Sequence, residues 1–133
     1  MFYAFFGLFL LFLGGFLYLI FRENTYIADI FEDVLFVEKI RDFTKPFESD
    51  FLKYYFQDFL WAVSLNLELF AVSKPSFKHG VFCSIVTLIF GTLWETLQYL
   101  KIINGTGDIC DILMYIFAVI FALLIFIKKE KIK

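Results

Sequence analysis

The chain is nearly empty of the residues from which most soluble enzymes build active sites. It has one histidine, His79, and two cysteines, Cys83 and Cys110. Two cysteines are too few for a disulfide framework, and no Cys/His spacing suits metal ligation. Both read as small buried apolar residues, and His79, in a short turn, as a solvated side chain. There is no Ser-His-Asp set, no H-E-x-x-H and no glycine-rich phosphate loop ahead of a helix, so nucleophilic catalysis is unsupported and no cofactor is expected. Net charge is only -2, which leaves no broad basic face and excludes nucleic acid as a partner. Basic residues are also missing from the interior of every long apolar run.

Apolar residues are what the chain has in surplus. They make up 61% of 133 residues, with a mean hydropathy of +0.79. A soluble domain is nearer half apolar, so the excess must face lipid. Residues 2–21 form a charge-free run long enough to cross a bilayer as a helix. With no basic n-region and no small-residue cleavage site, it reads as a retained span rather than a signal peptide. Ala4, Gly7, Leu11, Gly14 and Tyr18 recur at helical spacing, a face on which a neighbouring helix can approach closely.

Three more spans are expected, over 54–73, 81–100 and 109–127. The first of these is the most polar. Gln57, Trp61, Ser64, Glu68 and Ala71 fall on one stripe with Asp58 beside it, leaving the opposite face for lipid. The alternative is a solvent-exposed helix. In the next span Ser84, Thr87, Gly91, Glu95 and Gln98 share a face, and in the last Asp108, Asp111, Tyr115, Ala118 and Ala122 do. These stripes should meet across an antiparallel hairpin, with Gly91 against Ala118 and Thr87 near Ala122. The expected fold is therefore an all-α, integral membrane four-helix bundle forming one domain over 1–133.

Between the first two spans lies an extramembrane amphipathic segment, 22–53, with eight acids and five bases. Ile27, Ile30, Phe31, Val34, Leu35 and Val37 follow helical spacing there. Pro46 ends any helix before it, and Ser49 or Asp50 offers an N-cap for the next. An acidic face is repelled by the anionic cytoplasmic leaflet. Lys128, Lys129, Lys131 and Lys133 follow the last span directly, which by the positive-inside rule sets both termini in the cytoplasm.

This topology gathers Asp58, Glu95, Gln98, Asp108 and Asp111 in the outer third of the bundle. Glu95 lies roughly 9 Å below its helix end at 1.5 Å per residue, and Tyr115 lies at a matching depth. A carboxylate at a span centre costs about 2.5–3.5 kcal/mol on insertion scales. Such groups must share protons, line a wet pocket or bind a cation. Three or four oxygen donors suit Mg²⁺ or Ca²⁺, though the spacing selects neither. Each residue also has a plainer role. Asp108 and Asp111 suit a helix start as N-cap and first-turn acid. Gly105 and Gly107 supply a turn, and Glu95 can be a carboxyl group hydrogen-bonded to Tyr115 between helices.

Glu95-x-x-Gln98, a short turn, then Asp108-x-x-Asp111 opening the last helix resembles the VanZ-like family of bacterial membrane proteins, over about residues 78–129. The chain has Gly105-Thr106-Gly107 where the family often has a basic residue, so an anionic head group would lack its partner. Tyr115 and Ala118 stand where Asn and Gly are common. The resemblance implies a multi-pass protein of the bacterial cytoplasmic membrane. The family's founding member is linked to low-level glycopeptide resistance, and the resemblance carries no enzymatic mechanism.

Three functional readings follow. The first is an outer-side acidic pocket, lined by Asp58, Glu95, Gln98, Asp108, Asp111 and Tyr115, that engages a lipid-linked or cell-envelope ligand or a cation. The second is a non-catalytic small membrane partner or immunity-type protein that contacts a larger membrane protein through 22–53. The third is a dimeric proton-coupled transporter, disfavoured because the first span has no ionisable group apart from Tyr3 and Tyr18.

Overall fold

The computed structural model describes residues 1–21, 35–47, 49–74 and 76–130. The expected helical face at Ile27, Ile30, Phe31 and Val34 lies outside the described residues, as do Pro75, Lys131 and Lys133. Among the described residues the chain is all-helical: α1 (Phe2–Phe21), α2 (Leu35–Thr44), α3 (Phe56–Val72), α4 (Phe77–Tyr99) and α5 (Ile109–Glu130).

Three of these helices are long and apolar enough to cross a membrane: α1, α4 and α5, with mean hydropathies of 2.4, 1.6 and 2.8. Their outer faces form an apolar belt. Phe5 is 79% exposed, Phe12 75%, Phe90 62% and Phe117 58%. Apolar surface this continuous marks contact with lipid or protein rather than water.

α3, at 17 residues, is shorter than these three. It packs against α1, α4 and α5. Its polar residues are therefore covered by protein: Gln57, Ser64 and Asn66 are all buried. Ser64 Oγ donates to the Gly7 carbonyl at 2.8 Å, and Asn66 Nδ2 donates to Ser84 Oγ at 3.2 Å. The face expected to meet lipid does not. Leu60, Val63, Leu67 and Phe70 join Ala118, Ala122, Phe126 and Cys83 in the principal core. The open face is instead that of Trp61, Leu65 and Val72, 43%, 39% and 86% exposed, so the helix is turned and Trp61 leaves the expected stripe, because α1, α4 and α5 cover the remaining faces.

Close packing of α1 on α3 depends on small residues. A Cβ on Gly7 would lie 2.6 Å from Glu68 Oε1, and one on Gly14 the same distance from the Trp61 ring. Leu11, expected on this face, is 44% exposed, and Leu10 takes the buried position instead. Gly91 accommodates Tyr115 rather than Ala118, since a Cβ there would come 2.5 Å from the Tyr115 ring.

Helix ends follow local chemistry. α2 buries Val37 against Ile20 and Phe21, and Arg41 Nη2 donates to the Leu19 carbonyl at 2.9 Å near the end of α1. Its last residue, Thr44, bonds back to the carbonyls of Ile40 and Arg41, and Pro46 bars a further α-turn. Ser49 Oγ accepts from Leu52 N–H at 3.3 Å. A wide π-type turn, Phe51–Tyr55, then leads into α3, so the regular helix starts at Phe56 and ends at Val72. α4 starts at Phe77, earlier than expected, because Ser76 caps it by accepting from His79 N–H. His79 thus lies in a helical first turn, exposed, with its Nδ1 2.5 Å from Ser76 Oγ.

Candidate functional site

The polar site is built where α4 ends and α5 begins. α4 closes in a Schellman turn: Ile102 N–H reaches the Leu97 carbonyl at 2.9 Å, and Lys101 N–H reaches that of Gln98 at 2.9 Å. The left-handed position of that turn is held by Lys101, with φ 56°, rather than by glycine. Gly105, at φ 141°, and Gly107 then bring the chain back. A Cβ on Gly107 would lie 2.6 Å from both the Glu95 carbonyl oxygen and the Tyr99 nitrogen, so only glycine permits this approach. Asp108 caps α5 by accepting from Cys110 N–H at 3.0 Å.

Glu95 ties these pieces together. Its side chain is buried, and Tyr115 Oη donates to its Oε1 at 2.9 Å while Asp108 N–H donates to its Oε2 at 3.2 Å. One carboxyl group thus clamps the start of α5 onto α4. Gln98 Nε2 points to the Asn104 carbonyl at 3.5 Å, across the turn.

α3 contributes the opposite wall. Asp58 stands in its first turn, and Tyr55, in the π-type turn before it, donates to Asp108 Oδ2 at 3.3 Å. Tyr55 lies outside the regular helix, and the Asp108 carboxylate beside it pushes its pKa up to about 12.

Asp58, Glu95, Gln98, Asp108 and Asp111 line one cavity of about 110 Å³. Tyr115, expected among them, does not line this cavity; it bonds to Glu95 and lines the neighbouring apolar groove. A second chamber of about 210 Å³ shares Asp58, Trp94, Gln98 and Gly105 with the first and adds Tyr18, Gln57, Trp61 and Asn104. An apolar groove of about 260 Å³ runs down between α3 and α4 from Asp58 and Trp94 toward Phe90 and Leu65. Tyr54, Tyr55 and Trp94 also wall the acidic cavity. Sequence reasoning missed all three as site residues. The available signal was the tyrosine pair one helical turn ahead of Asp58, and Trp94 immediately before Glu95.

Among the described residues, no three acid, histidine or cysteine side chains come close enough together to chelate one metal ion. The carboxylates are spread around the cavity wall instead of meeting at a point, which does not supply the converging oxygen donors that Mg²⁺ or Ca²⁺ takes. The two cysteines are free thiols far from one another in the fold. Cys83 is buried, but Cys110, expected to be buried too, is exposed in the first turn of α5. Comparison with family models, curated proteins and solved structures finds no match.

Proposed function

We propose that the chain is a VanZ-like, four-span protein of the bacterial cytoplasmic membrane whose rim cavity binds a lipid-linked or cell-envelope ligand. One observation carries this reading: acids far apart in the sequence, Asp58, Glu95, Asp108 and Asp111, line a single cavity at one end of the helices. The order Glu95-x-x-Gln98 then Asp108-x-x-Asp111 supports the family assignment. α3 counts as the fourth span because α1, α4 and α5 shield its polar groups. Lys129 Nζ sits 3.1 Å from the Phe2 ring centroid, so the first and last helices meet at the end opposite the cavity. With the lysines cytoplasmic, the cavity opens outward. The role is binding rather than catalysis. The test is Asp58→Asn with Asp111→Asn in the host bacterium, at unchanged protein level. Loss of an envelope or glycopeptide-susceptibility phenotype supports the reading, and wild-type behaviour makes the cavity structural.

A second reading keeps the protein as a non-catalytic partner acting through 22–53. It is favoured by Phe36, Phe43 and Phe47, which are 67%, 75% and 68% exposed on α2 and the turn after it. Replacing these three by serine should then abolish cross-linking to a larger membrane protein, where Asp58→Asn would not.

A further inference from the structure

We propose that the rim cavity recognises an organic ammonium group, presented by a membrane amphiphile. The inference rests on the reading of this cavity as a ligand site and names the chemistry of the ligand.

The first observation is the character of the wall. Asp58, Asp108 and Asp111 present carboxylate oxygens, and no lysine, arginine or histidine lines either chamber among the described residues. The second is independent of the acids. Gln57 is 98% buried (2% exposed), its Nε2 donates to the Leu52 carbonyl at 3.4 Å, and its Oε1 has no hydrogen-bond partner. That oxygen belongs to a side chain lining the second chamber. A buried acceptor without a donor is costly. Oε1 is shielded as the side chain stands, so a ligand gains this acceptor only by turning the Gln57 amide toward the chamber, where an N–H donor or positive charge pairs with it and an anion does not.

Size and shape narrow the class. A bare metal ion lacks a chelating cluster here. The chambers, about 110 and 210 Å³, are several times the roughly 30 Å³ share of one water. Aromatic side chains from Tyr18, Tyr54, Tyr55, Trp61 and Trp94 line them. Aromatic faces combined with carboxylates are the usual recognition chemistry for alkylammonium groups. The apolar groove shares Asp58 and Trp94 with the cavity and continues along α3 and α4. It gives an acyl chain a path beside the headgroup, which favours a lipid-borne amine over a free one.

The test is calorimetric titration of the full chain in maltoside micelles with tetramethylammonium, decyltrimethylammonium and decyl sulfate, after subtraction of protein-free micelles. Saturable binding of both ammonium probes is expected, with decyltrimethylammonium at least about tenfold tighter and decyl sulfate not binding. Asp58→Asn and Tyr55→Leu should each weaken it about tenfold, the size of one cation–π or ion contact. Tyr55→Phe, which keeps the ring but loses the donor to Asp108, should weaken binding less than Tyr55→Leu does, and melting curves check that each variant is folded. Equal affinity for the free and the decyl-bearing ammonium overturns the amphiphile and leaves the free amine. Saturable decyl sulfate binding that Asp58→Asn abolishes overturns the ammonium class while the ligand-site reading survives. No saturation by any probe overturns the ammonium class as well. The ligand-site reading itself falls only if the host phenotype also ignores Asp58→Asn with Asp111→Asn.

Discussion

Two groups of polar side chains sit among these apolar helices, and they are resolved in opposite ways. Halfway along the helices, Ser64, Asn66, Ser84 and Thr87 are neutral and buried, and the three hydroxyls and the Asn66 amide each donate to a carbonyl or a neighbouring hydroxyl, with Asn66 Oδ1 alone left unpaired among them. No cavity described above reaches Ser64, Asn66 or Ser84. At the rim, Asp58, Glu95, Asp108 and Asp111 are acidic and surround open volume. Polarity in a lipid-embedded core is thus no evidence of function by itself. Neutral groups that close on one another hold helices together, at about 0.6 kcal/mol per bond in a measured case. Charged groups around a space are what the candidate site adds to that.

The comparison can be broken most forcibly at the turn. Gly107→Val would drive a side chain into the backbone of Glu95 and Tyr99, which cannot move aside. The expected result is loss of at least about 3 kcal/mol or of folded yield, read as detergent-solubilised melting. It would separate α5 from α4 at the rim while leaving the mid-bundle bonds in place.

Tyr115→Phe should cost about 1–3 kcal/mol, because it strips a donor from the buried Glu95 carboxyl group. Asn66→Leu is the matched change at mid-depth. Asn66 is fully buried, and its Oδ1 has no partner, so an apolar side chain of similar size should be neutral within about 1 kcal/mol or stabilising. Reversal of that order would show that the mid-bundle polar group, not the rim, holds the helices.

The smallest effect is expected at Lys101. A non-glycine residue in the left-handed region costs about 1 kcal/mol, so Lys101→Gly should raise the melting temperature slightly without touching the cavity.

Much of this was legible in the sequence. The apolar runs at α1, α4 and α5 announce themselves by length, and the Glu95-x-x-Gln98 and Asp108-x-x-Asp111 spacing identifies the residues that the hairpin places in one cavity. Asp108 as a cap follows from its position alone. The surroundings of α3 were not legible. Its stripe of Gln57, Ser64 and Glu68 shows which face is polar but not that neighbours cover the other face too. Nor does spacing show that Tyr115, rather than Ala118, rests on Gly91, because that depends on how the two helices slide past each other. The aromatic walls from Tyr54, Tyr55 and Trp94 were invisible for a related reason. Near a membrane surface, tyrosine and tryptophan are common anchors, and only the packed structure turns them inward.

The central claim is that the rim acids enclose a wet cavity while Ser64, Asn66 and Ser84 are sealed. It is tested most directly by thiol labelling in a Cys83→Ser, Cys110→Ser background. Asp58→Cys, Asp111→Cys and Asn66→Cys are each exposed to a membrane-impermeant maleimide on intact cells. The account predicts labelling at 58 and 111 and none at 66. Protection at all three positions, or labelling at 66 as fast as at the rim, would contradict it.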